Sequence, residues 1–190
     1  MTKVEIRSEY LKLRLNLSIE KYESLNQNLS DNFFSKVDLS SVKTLHTFLP
    51  IIAKREPDTW LIIERLKKDF PEIRISVPKV EHNKLISFYF EGEKQLEKNK
   101  WGILEPAFGE ITPTEKIDLV IVPLLAFDNK GNRVGYGKGF YDQFLSECSV
   151  GCKKIGLSFF EPIQGSIPID AHDIPMQAAV TPSQLFAFNI

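Results

Sequence analysis

The chain has few residues of the kinds that form covalent or metal cross-links. Its 190 residues include two cysteines, Cys148 and Cys152, and three histidines, His46, His82 and His172, which lie far apart. A structural zinc site uses four ligands, usually in two closely spaced pairs, and no second pair accompanies the cysteines. We therefore expect reduced structural thiols and no zinc site.

Charge of one sign and long apolar runs are also scarce. The formal net charge is -1, which gives no long-range attraction for nucleic acid or anionic lipid. The longest apolar runs, such as residues 119–126, fall far below the ~20 residues of a membrane-spanning helix. Charges interrupt the start of the chain, so no apolar segment typical of a signal peptide is found there. We expect a cytoplasmic monomer without a nucleic-acid or membrane partner.

Length and composition predict a single domain. With 190 residues, of which 43% are hydrophobic, the chain can bury a well-packed core but is shorter than chains whose cores divide in two. Internal repeats and low-complexity segments are absent from the sequence. We predict that residues 1–190 form one domain.

The apolar residues first follow a helical period. They recur at helical spacing up to Leu17 and again between Tyr22 and Phe33, which predicts two opening helices. Ser18 is predicted to be the N-cap of the second helix. A third helix is predicted after Pro57.

Strand patterns follow these helices. Residues 44–49 form a short β-type run, and residues 73–77 and 86–90 alternate between apolar and polar side chains. Pro78 is predicted to separate the last two strands. Residues 94–113 have no clear period and are predicted to cross the surface as an irregular connection.

A continuous apolar run at residues 118–123 predicts a strand buried on both faces of a parallel sheet. The carboxyl end of such a strand is expected to point toward a functional site. Another strand is predicted over residues 155–159. Strands alternating with helices predict an α/β fold, a three-layer α/β/α sandwich with a mainly parallel, Rossmann-like sheet.

Residues 133–142 contain the strongest functional signal. Gly135, Gly137 and Gly139 alternate with side chains directly before a predicted helix. Glycine lets backbone N–H groups approach a phosphate, and a helix N-terminus adds unpaired N–H groups and partial positive charge. Lys138 would add a full charge. The pattern matches neither the P-loop nor the dinucleotide fingerprint, and a plain glycine-rich turn is the alternative.

A longer string around these glycines resembles the signature of the 5-formyltetrahydrofolate cyclo-ligases. It comprises residues 122–128, residues 131–133 and the glycine run that ends in Tyr141 and Asp142. Three further segments agree in order and rough spacing: Lys3 with Arg7, residues 56–59, and residues 101–106. The resemblance spans nearly the whole chain and implies the fold shared by sugar-phosphate isomerase and coenzyme A transferase relatives.

The resemblance implies an ATP site and a folate site that share the glycine run. ATP contacts are expected from Lys3, Arg7, Arg133, Val134, Gly135, Tyr136, Gly137, Lys138, Gly139, Phe140 and Tyr141. Folate contacts are expected from Glu56, Asp58, Trp101, Tyr136, Gly137, Lys138, Gly139 and Phe140. Catalytic roles are expected for Lys138 and Arg133. Magnesium is expected at Asp142, with Asp173 as a second candidate ligand.

Each assignment has a plainer structural alternative. Lys3 and Arg7 suit phosphate oxygens, but residues four apart on a helix also form solvated faces. Glu56 and Asp58 could accept hydrogen bonds from the aminopyrimidinone ring of folate or simply favour a helix start. Which of the two contacts the folate stays open. Trp101 could stack on a planar ring or serve packing.

Two positions depart from the family pattern. Gln143 stands where the family often has Arg, and Gln177 where it often has an acid after the pair His172 and Asp173. These departures leave a metal role of Asp173 open and do not affect the glycine run.

The resemblance implies an ATP-dependent cyclisation. The formyl oxygen of 5-formyltetrahydrofolate, with one or several glutamates in the cell, attacks the γ-phosphate of ATP, and the other folate nitrogen then closes the ring. The products are 5,10-methenyltetrahydrofolate, ADP and phosphate. Such a reaction needs positioning and charge rather than a covalent nucleophile, and no Ser or Cys triad is evident.

Two other functions remain open at this point. An α/β enzyme that binds a phosphorylated metabolite, such as a sugar-phosphate isomerase or coenzyme A transferase relative, would share the fold but leave Lys3, Arg7 and Trp101 unused. A non-catalytic folate- or nucleotide-binding module would bind without turnover.

Overall fold

The backbone of the computed structural model, which describes residues 1–189, alternates between helices and strands. The helices are α1 (Lys3–Leu15), α2 (Ile19–Lys36), α3 (Trp60–Asp69) and α4 (Phe140–Glu147). The strands are β1 (Thr44–His46), β2 (Arg74–Glu81), β3 (Lys84–Tyr89), β4 (Leu96–Lys98), β5 (Leu104–Pro106), β6 (Leu119–Pro123), β7 (Ala126–Phe127), β8 (Arg133–Val134), β9 (Lys153–Leu157), β10 (Ala178–Val180) and β11 (Leu185–Ala187). None of the helices in this part of the chain is long and apolar enough to cross a membrane.

Seven strands form one sheet in the order β11-β10-β9-β6-β1-β2-β3. The five inner strands are parallel to one another, and the two edge strands, β3 and β11, are antiparallel to their neighbours. The pairs β4–β5 and β7–β8 form two small antiparallel ribbons outside this sheet. The prediction of a mainly parallel sheet is confirmed.

Helices cover both faces of the sheet at its central strand, β6. Leu119 and Ile121 pack into the cluster that contains the buried residues of α2 and α3, whereas Val120 and Val122 pack against α4. Successive side chains of a strand point to opposite faces, so a strand covered on both sides must be apolar at every position. The predicted three-layer α/β/α sandwich is confirmed.

Helix α1 lies against the β7–β8 ribbon. Its first turn is fixed by a capping box between Thr2 and Glu5, which satisfies backbone N–H groups that otherwise lack partners. Its Ile6 is fully buried in a small cluster with Ala126 and Val134. The ribbon leads directly into the glycine run, so this packing brings α1 to that run.

Pro78 does not separate two strands, as the sequence predicted, because β2 continues through it to Glu81. The carbonyl of Ile75 accepts from Phe90 and that of Ser76 accepts from Thr47, so successive residues of β2 face β3 and β1 in turn. This alternation directs the Pro78 nitrogen toward the β1 side, beyond the last paired residue of β1, His46. A proline without an N–H therefore interrupts no ladder bond.

Three other segments also differ from the sequence prediction. Residues 94–113, predicted to be irregular, contain the β4–β5 ribbon. The predicted strand at residues 44–49 is paired only over Thr44–His46. The segment near the C-terminus provides β10 and β11, which the proline-rich sequence did not reveal. The N-cap role of Ser18 is confirmed, since its hydroxyl accepts from the Lys21 N–H.

Asp128 organises the turn that joins β7 to β8. Its fully buried carboxylate accepts hydrogen bonds from the backbone N–H groups of Lys130 at 2.9 Å and of Asn132 and Ile167 at 3.0 Å, and from the Asn132 side chain at 3.0 Å. Four donors satisfy the buried charge, which would otherwise be costly. The turn thereby fixes the position of β8 and of the glycine run that follows it.

Replacing Asp128 by Ala is expected to lower the free energy of unfolding by about 3 kcal/mol, because it leaves four donors without an acceptor. Chemical denaturation followed by circular dichroism measures this loss. Asp38→Ala is the matched control, since Asp38 is exposed and accepts from one turn N–H, that of Ser40, at 3.0 Å. It should lose less than about 1 kcal/mol. Equal losses would contradict the role of Asp128.

Candidate active site

The glycine run lies beyond the carboxyl end of β6 and opens α4. Gly137 and Gly139 have φ of +80° and +72°, and Gly139 is the N-cap of α4. These left-handed conformations are costly for residues with a side chain. Lys138 between them is exposed and makes no hydrogen bond or ion pair with residues 1–189. The run therefore presents backbone N–H groups and a cation at a helix N-terminus, which is a favourable arrangement for an anion.

Arg7 of α1 is in direct contact with the glycine run. Its Nε donates to the carbonyl oxygen of Gly135 at 2.8 Å. A Cβ built on Gly137 would lie 2.7 Å from the guanidinium of Arg7, so glycine is required there for the close approach as well as for its φ. Arg7 is therefore placed at the run rather than on a solvated helix face.

Lys3, one turn before Arg7, is bonded to two aspartates that lie between β9 and β10. Its ammonium donates to Asp170 at 2.6 Å and to Asp173 at 2.5 Å. Burial raises the pKa of Asp173, but the hydrogen bonds from Lys3 and from the Asp170 N–H outweigh it and hold that pKa below its usual range. Asp173 is thus an ionised carboxylate that already has a cation beside it.

Arg133 and Asp142 form a nearly buried ion pair behind the glycine run. The guanidinium donates to Asp142 Oδ1 at 2.6 Å and to the carbonyl of Ile174, and its side chain is only 7% exposed. The Ile174 N–H also donates to Asp142 Oδ1, at 3.1 Å. Ile174 follows Asp173 in the chain, and the charge of Arg133 also lowers the pKa of Asp173, so the two candidate metal ligands, Asp142 and Asp173, lie near the same cation.

The donor set of this cluster fits a magnesium ion shared with phosphates. Residues 1–189 contain no group of three His, Cys, Asp or Glu side chains that could hold a metal alone. Magnesium, however, commonly uses one or two carboxylates together with substrate phosphates and water. Asp142 Oδ1 is occupied by Arg133 and Ile174, which leaves Oδ2 as its open oxygen.

Glu56 lies in a buried network on the other side of the glycine run. Its side chain is 3% exposed; Oε1 accepts from the hydroxyl of Tyr136 at 2.7 Å and Oε2 from the N–H of Ile51 at 2.7 Å. The Tyr136 hydroxyl in turn accepts from Arg14. Tyr136 therefore connects the glycine run to the buried acid.

Burial raises the pKa of Glu56, while the hydrogen bonds from Ile51 and Tyr136 and the charges of Arg14 and Lys54 lower it in part. The pKa of Tyr136 is raised by burial and by the nearby charge of Glu56. The tyrosine consequently stays a proton donor, and Glu56 is an acid whose ionisation depends on its neighbours.

Asp58 and Trp101 occupy different surroundings from Glu56. The Asp58 carboxylate accepts from the N–H of Trp60 at 3.1 Å near the start of α3, and burial raises its pKa. Trp101 is 67% exposed in the β4–β5 turn, where Lys100 lies 4.4 Å from its ring. Within the described residues no hydrogen bond joins Trp101 to the glycine run.

The remaining predicted residues line the end of the run. Val134 is buried against α1, whereas Phe140 and Tyr141 form the first turn of α4. The Tyr141 hydroxyl lies 3.4 Å from Nε2 of His46, at the carboxyl end of β1. Full burial lowers the pKa of His46 to about 3, so its ring is neutral.

Sequence reasoning missed Arg14, Lys54 and His46. Arg14 is 3% exposed, yet in the sequence it is one of several basic residues spaced along α1. Lys54 is in a short 3-10 helix, and its ammonium lies 4.0 Å from the centre of the Tyr136 ring. Only the small number of histidines could have drawn attention to His46.

Fold and site together define an α/β enzyme with a glycine-rich loop, suited to an anion, at the carboxyl ends of its parallel strands. The model of the 5-formyltetrahydrofolate cyclo-ligase family matches residues 1–182. The chain therefore belongs to this family and is an ATP-dependent ligase that converts 5-formyltetrahydrofolate to 5,10-methenyltetrahydrofolate.

Individual relatives agree with this assignment. The chain is 26% identical to a 5-formyltetrahydrofolate cyclo-ligase of Haemophilus influenzae over 177 residues, which cover 90% of this chain and 93% of the relative. It is 34% identical to a probable 5-formyltetrahydrofolate cyclo-ligase of Schizosaccharomyces pombe over 149 residues, 70% of this chain and 72% of the relative.

Solved structures agree as well. The NMR structure of the 5,10-methenyltetrahydrofolate synthetase of Aquifex aeolicus matches with a TM-score of 0.85 and 31% identity, covering 100% of this chain and 94% of that one. The corresponding synthetase of Mycoplasma pneumoniae matches with a TM-score of 0.76 over 96% of this chain and 99% of that one. At 23% identity the second match supports the fold alone.

Replacing Gly137 by Ala is expected to reduce ATP-dependent turnover about tenfold or more, because the added Cβ displaces Arg7 from the glycine run. Gly165→Ala is the matched control: Gly165 has φ of +98° but nothing within 4 Å of the added Cβ. Both variants pay a backbone strain of about 1 kcal/mol, seen in thermal unfolding. Equal activity of the two variants would contradict a functional contact between Arg7 and Gly137.

Proposed function

We propose that ATP binds on the glycine run and 5-formyltetrahydrofolate binds beside Glu56, so that the two substrates meet at Tyr136 and Lys138. The observation that carries this proposal is the Tyr136 hydroxyl, which joins the anion loop to a buried carboxylate at 2.7 Å. The reaction needs the γ-phosphate of ATP and the pterin ring of folate side by side. At Tyr136 the glycine run, which suits a phosphate, adjoins Glu56, which suits the pterin ring.

The reaction follows in two steps. The formyl oxygen of 5-formyltetrahydrofolate attacks the γ-phosphorus of ATP, and the bond from that phosphorus to the bridging oxygen breaks. ADP leaves, and the folate now carries an imidate phosphate. The other folate nitrogen then attacks the formyl carbon, loses its proton, and inorganic phosphate leaves with the former formyl oxygen. The protein supplies position and charge throughout.

Lys138 is assigned to the transferred phosphoryl group. It is exposed at the N-terminus of α4 and has no partner among residues 1–189 to satisfy its charge, so a phosphate can do so at little cost. Arg7 and the backbone of residues 135–139 hold the other phosphate oxygens. Lys3, which is paired with Asp170 and Asp173, is assigned to the same group of phosphate contacts as Arg7.

Arg133 is assigned a role beside the ATP phosphates through its ion pair. Nη2 of Arg133 donates to Asp142 and Nη1 to the carbonyl of Ile174, so Arg133 holds the Asp142 carboxylate in place and adds positive charge behind the loop. Opening this pair would leave a buried charge without a partner, which costs several kcal/mol. Direct contact of Arg133 with ATP is therefore the less favoured form of its predicted catalytic role.

Glu56, rather than Asp58, is assigned to the pterin ring of folate. Each Glu56 oxygen accepts one hydrogen bond from the protein and can accept another from ring N–H groups. Asp58 is engaged at the start of α3 and is assigned a supporting role nearby. Trp101, exposed on a ribbon turn, is assigned to stacking on the bound folate.

Magnesium is assigned to Oδ2 of Asp142, with Asp173 as a second ligand. When bound with ATP, the ion neutralises charge on the phosphate oxygens. Asp173 would have to share its charge with Lys3, which makes Asp142 the stronger of the two candidates.

The cellular setting is assigned from charge and sheet topology. The net charge of -1 favours a protein that binds neither nucleic acid nor membrane, and we place it in the cytoplasm as a monomer. Its residues 1–190 are assigned to one domain, because the seven-stranded sheet runs from β1 to β11. Polyglutamylated forms of the folate are included among its substrates.

Lys138→Ala is expected to lower kcat/KM for ATP on the order of a hundredfold, because the charge that stabilises the transferred phosphoryl group is lost. Methenyl-folate absorbance follows the reaction with and without ATP. The control is Lys130→Ala, which removes an exposed lysine from the neighbouring β7–β8 turn. If Lys138→Ala kept the activity of Lys130→Ala, the assignment of Lys138 would be wrong.

ATP is expected to raise the melting temperature of the protein only when magnesium is present. The ion neutralises charge on the phosphate oxygens, which allows ATP to bind, and a ligand that binds the native state stabilises the protein. Asp142→Asn should need a higher magnesium concentration for the same rise, while retaining an oxygen that can accept from Arg133. Differential scanning fluorimetry at fixed ATP and increasing magnesium measures both effects. A rise with ATP alone that magnesium does not change would contradict the assignment of Asp142.

A further inference from the structure

Arg14 is a buried arginine that lies close to both substrate sites without belonging to either. It is in the last turn of α1 and is 3% exposed. Nε donates to the carbonyl of Lys54 at 2.8 Å, and Nη1 donates to the carbonyl of Leu124 at 3.3 Å. Its remaining nitrogen, Nη2, donates to the hydroxyl of Tyr136. The guanidinium thus joins α1, the 3-10 helix, the segment after β6 and the glycine run.

The counter-charge of Arg14 is reached through one hydroxyl. Tyr136 accepts from Arg14 and donates to Glu56, so two successive hydrogen bonds connect a buried cation to a buried carboxyl group. Glu56, at 3% exposure, has no direct ion pair with any of residues 1–189. A buried charge needs a nearby opposite charge or fixed donors to remain ionised. Here Tyr136 supplies the fixed donor and Arg14 supplies the charge.

We propose that Arg14 is a positioning residue of the folate site: through the Tyr136 hydroxyl it keeps Glu56 ionised and oriented for the folate ring. This inference rests on the assignment of Glu56 to the folate in the proposed function. Arg14 touches neither substrate. It acts by directing the lone pairs of the Tyr136 oxygen so that the hydroxyl proton points to Glu56.

Other groups around Glu56 also act on its charge. The charged or titratable side chains that face it are Arg14 from α1, Tyr22 from α2, Lys54 from the 3-10 helix, Tyr136 from the glycine run and Tyr141 from α4. Asp58 is its nearest acid along the chain. The two cations, Arg14 and Lys54, therefore oppose the effect of burial.

The sign of the expected pH effect follows from these contacts. Burial raises the pKa of Glu56, and Arg14 is one of the groups that bring it back down. Removing Arg14 raises that pKa further, so the carboxylate becomes protonated at higher pH and can no longer accept two folate N–H groups. The acidic limb of the pH profile must then move to higher pH.

The test compares wild type with Arg14→Gln and Arg14→Lys. For Arg14→Gln the acidic limb of kcat/KM for 5-formyltetrahydrofolate is expected to move up by about one pH unit. Above this limb, kcat should stay within about threefold of wild type, since the phosphate contacts are intact. Arg14→Lys keeps the charge without the planar fork and should recover part of the shift. ATP-free samples at each pH correct for ring closure by acid alone.

Arg55→Gln is the matched control. Arg55 is also a partly buried arginine that donates to a carbonyl, that of Leu17, and its guanidinium lies 5.9 Å from the Tyr22 ring centre. Its loss should leave the acidic limb where wild type has it. If Arg14→Gln does not fold, Tyr136→Phe removes the linking hydroxyl and should shift the limb in the same direction.

Folate binding without ATP, measured by calorimetry over the same pH range, separates the possible failures. If wild type neither binds nor converts the folate, the proposed function is wrong. If wild type does both and the acidic limb is the same in Arg14→Gln and Tyr136→Phe, the role of Arg14 is wrong. A uniform loss of kcat at every pH in Arg14→Gln would also overturn it, because it would indicate a structural effect alone.

Discussion

The site depends on the docking of α1 against the glycine run. A helix of this length is marginally stable by itself and needs tertiary contacts. Its apolar contribution is small, with Ile6 as its one fully buried apolar side chain among the described residues. Tyr10 adds a partly buried aromatic contact with Phe160, and two arginines add polar contacts, Arg7 with Gly135 and Arg14 with Tyr136. The same two arginines that attach the helix therefore also shape the loop.

Charge around the glycine run is largely compensated before any substrate binds. Lys3 is paired with two aspartates, Arg133 with Asp142, and Arg14 with Glu56 through Tyr136. Two cations at the loop have no carboxylate partner among residues 1–189: Lys138, which is exposed, and Arg7, whose Nε donates to the neutral carbonyl of Gly135. A chain with a net charge of -1 can thus bind a triphosphate locally, because the attraction comes from a few fixed groups rather than from an overall field.

The sequence predicted the features that follow from short-range pattern and left out those set by tertiary contact. The apolar run of β6 and the helix start after Gly139 were both found as predicted, since burial on two faces and a glycine cap are visible along the chain. Pro78 was misread because its tolerance depends on where β1 ends. Arg14 was missed for a similar reason: its burial results from the approach of Tyr136, more than a hundred residues away in the sequence.

The position of Tyr136 couples the binding of ATP to the binding of folate. Its backbone belongs to the loop assigned to ATP, and its hydroxyl belongs to the network of the acid assigned to folate. A movement of the loop on binding phosphate must therefore alter the donor that faces Glu56, and a folate ring that engages Glu56 must compete with or reinforce that donor. Coupling of this kind is reciprocal: whichever substrate binds first changes the affinity for the second by the same factor in either order. Because the chemistry requires both substrates at once, a shared residue between the two sites favours a site that is complete only when both are bound.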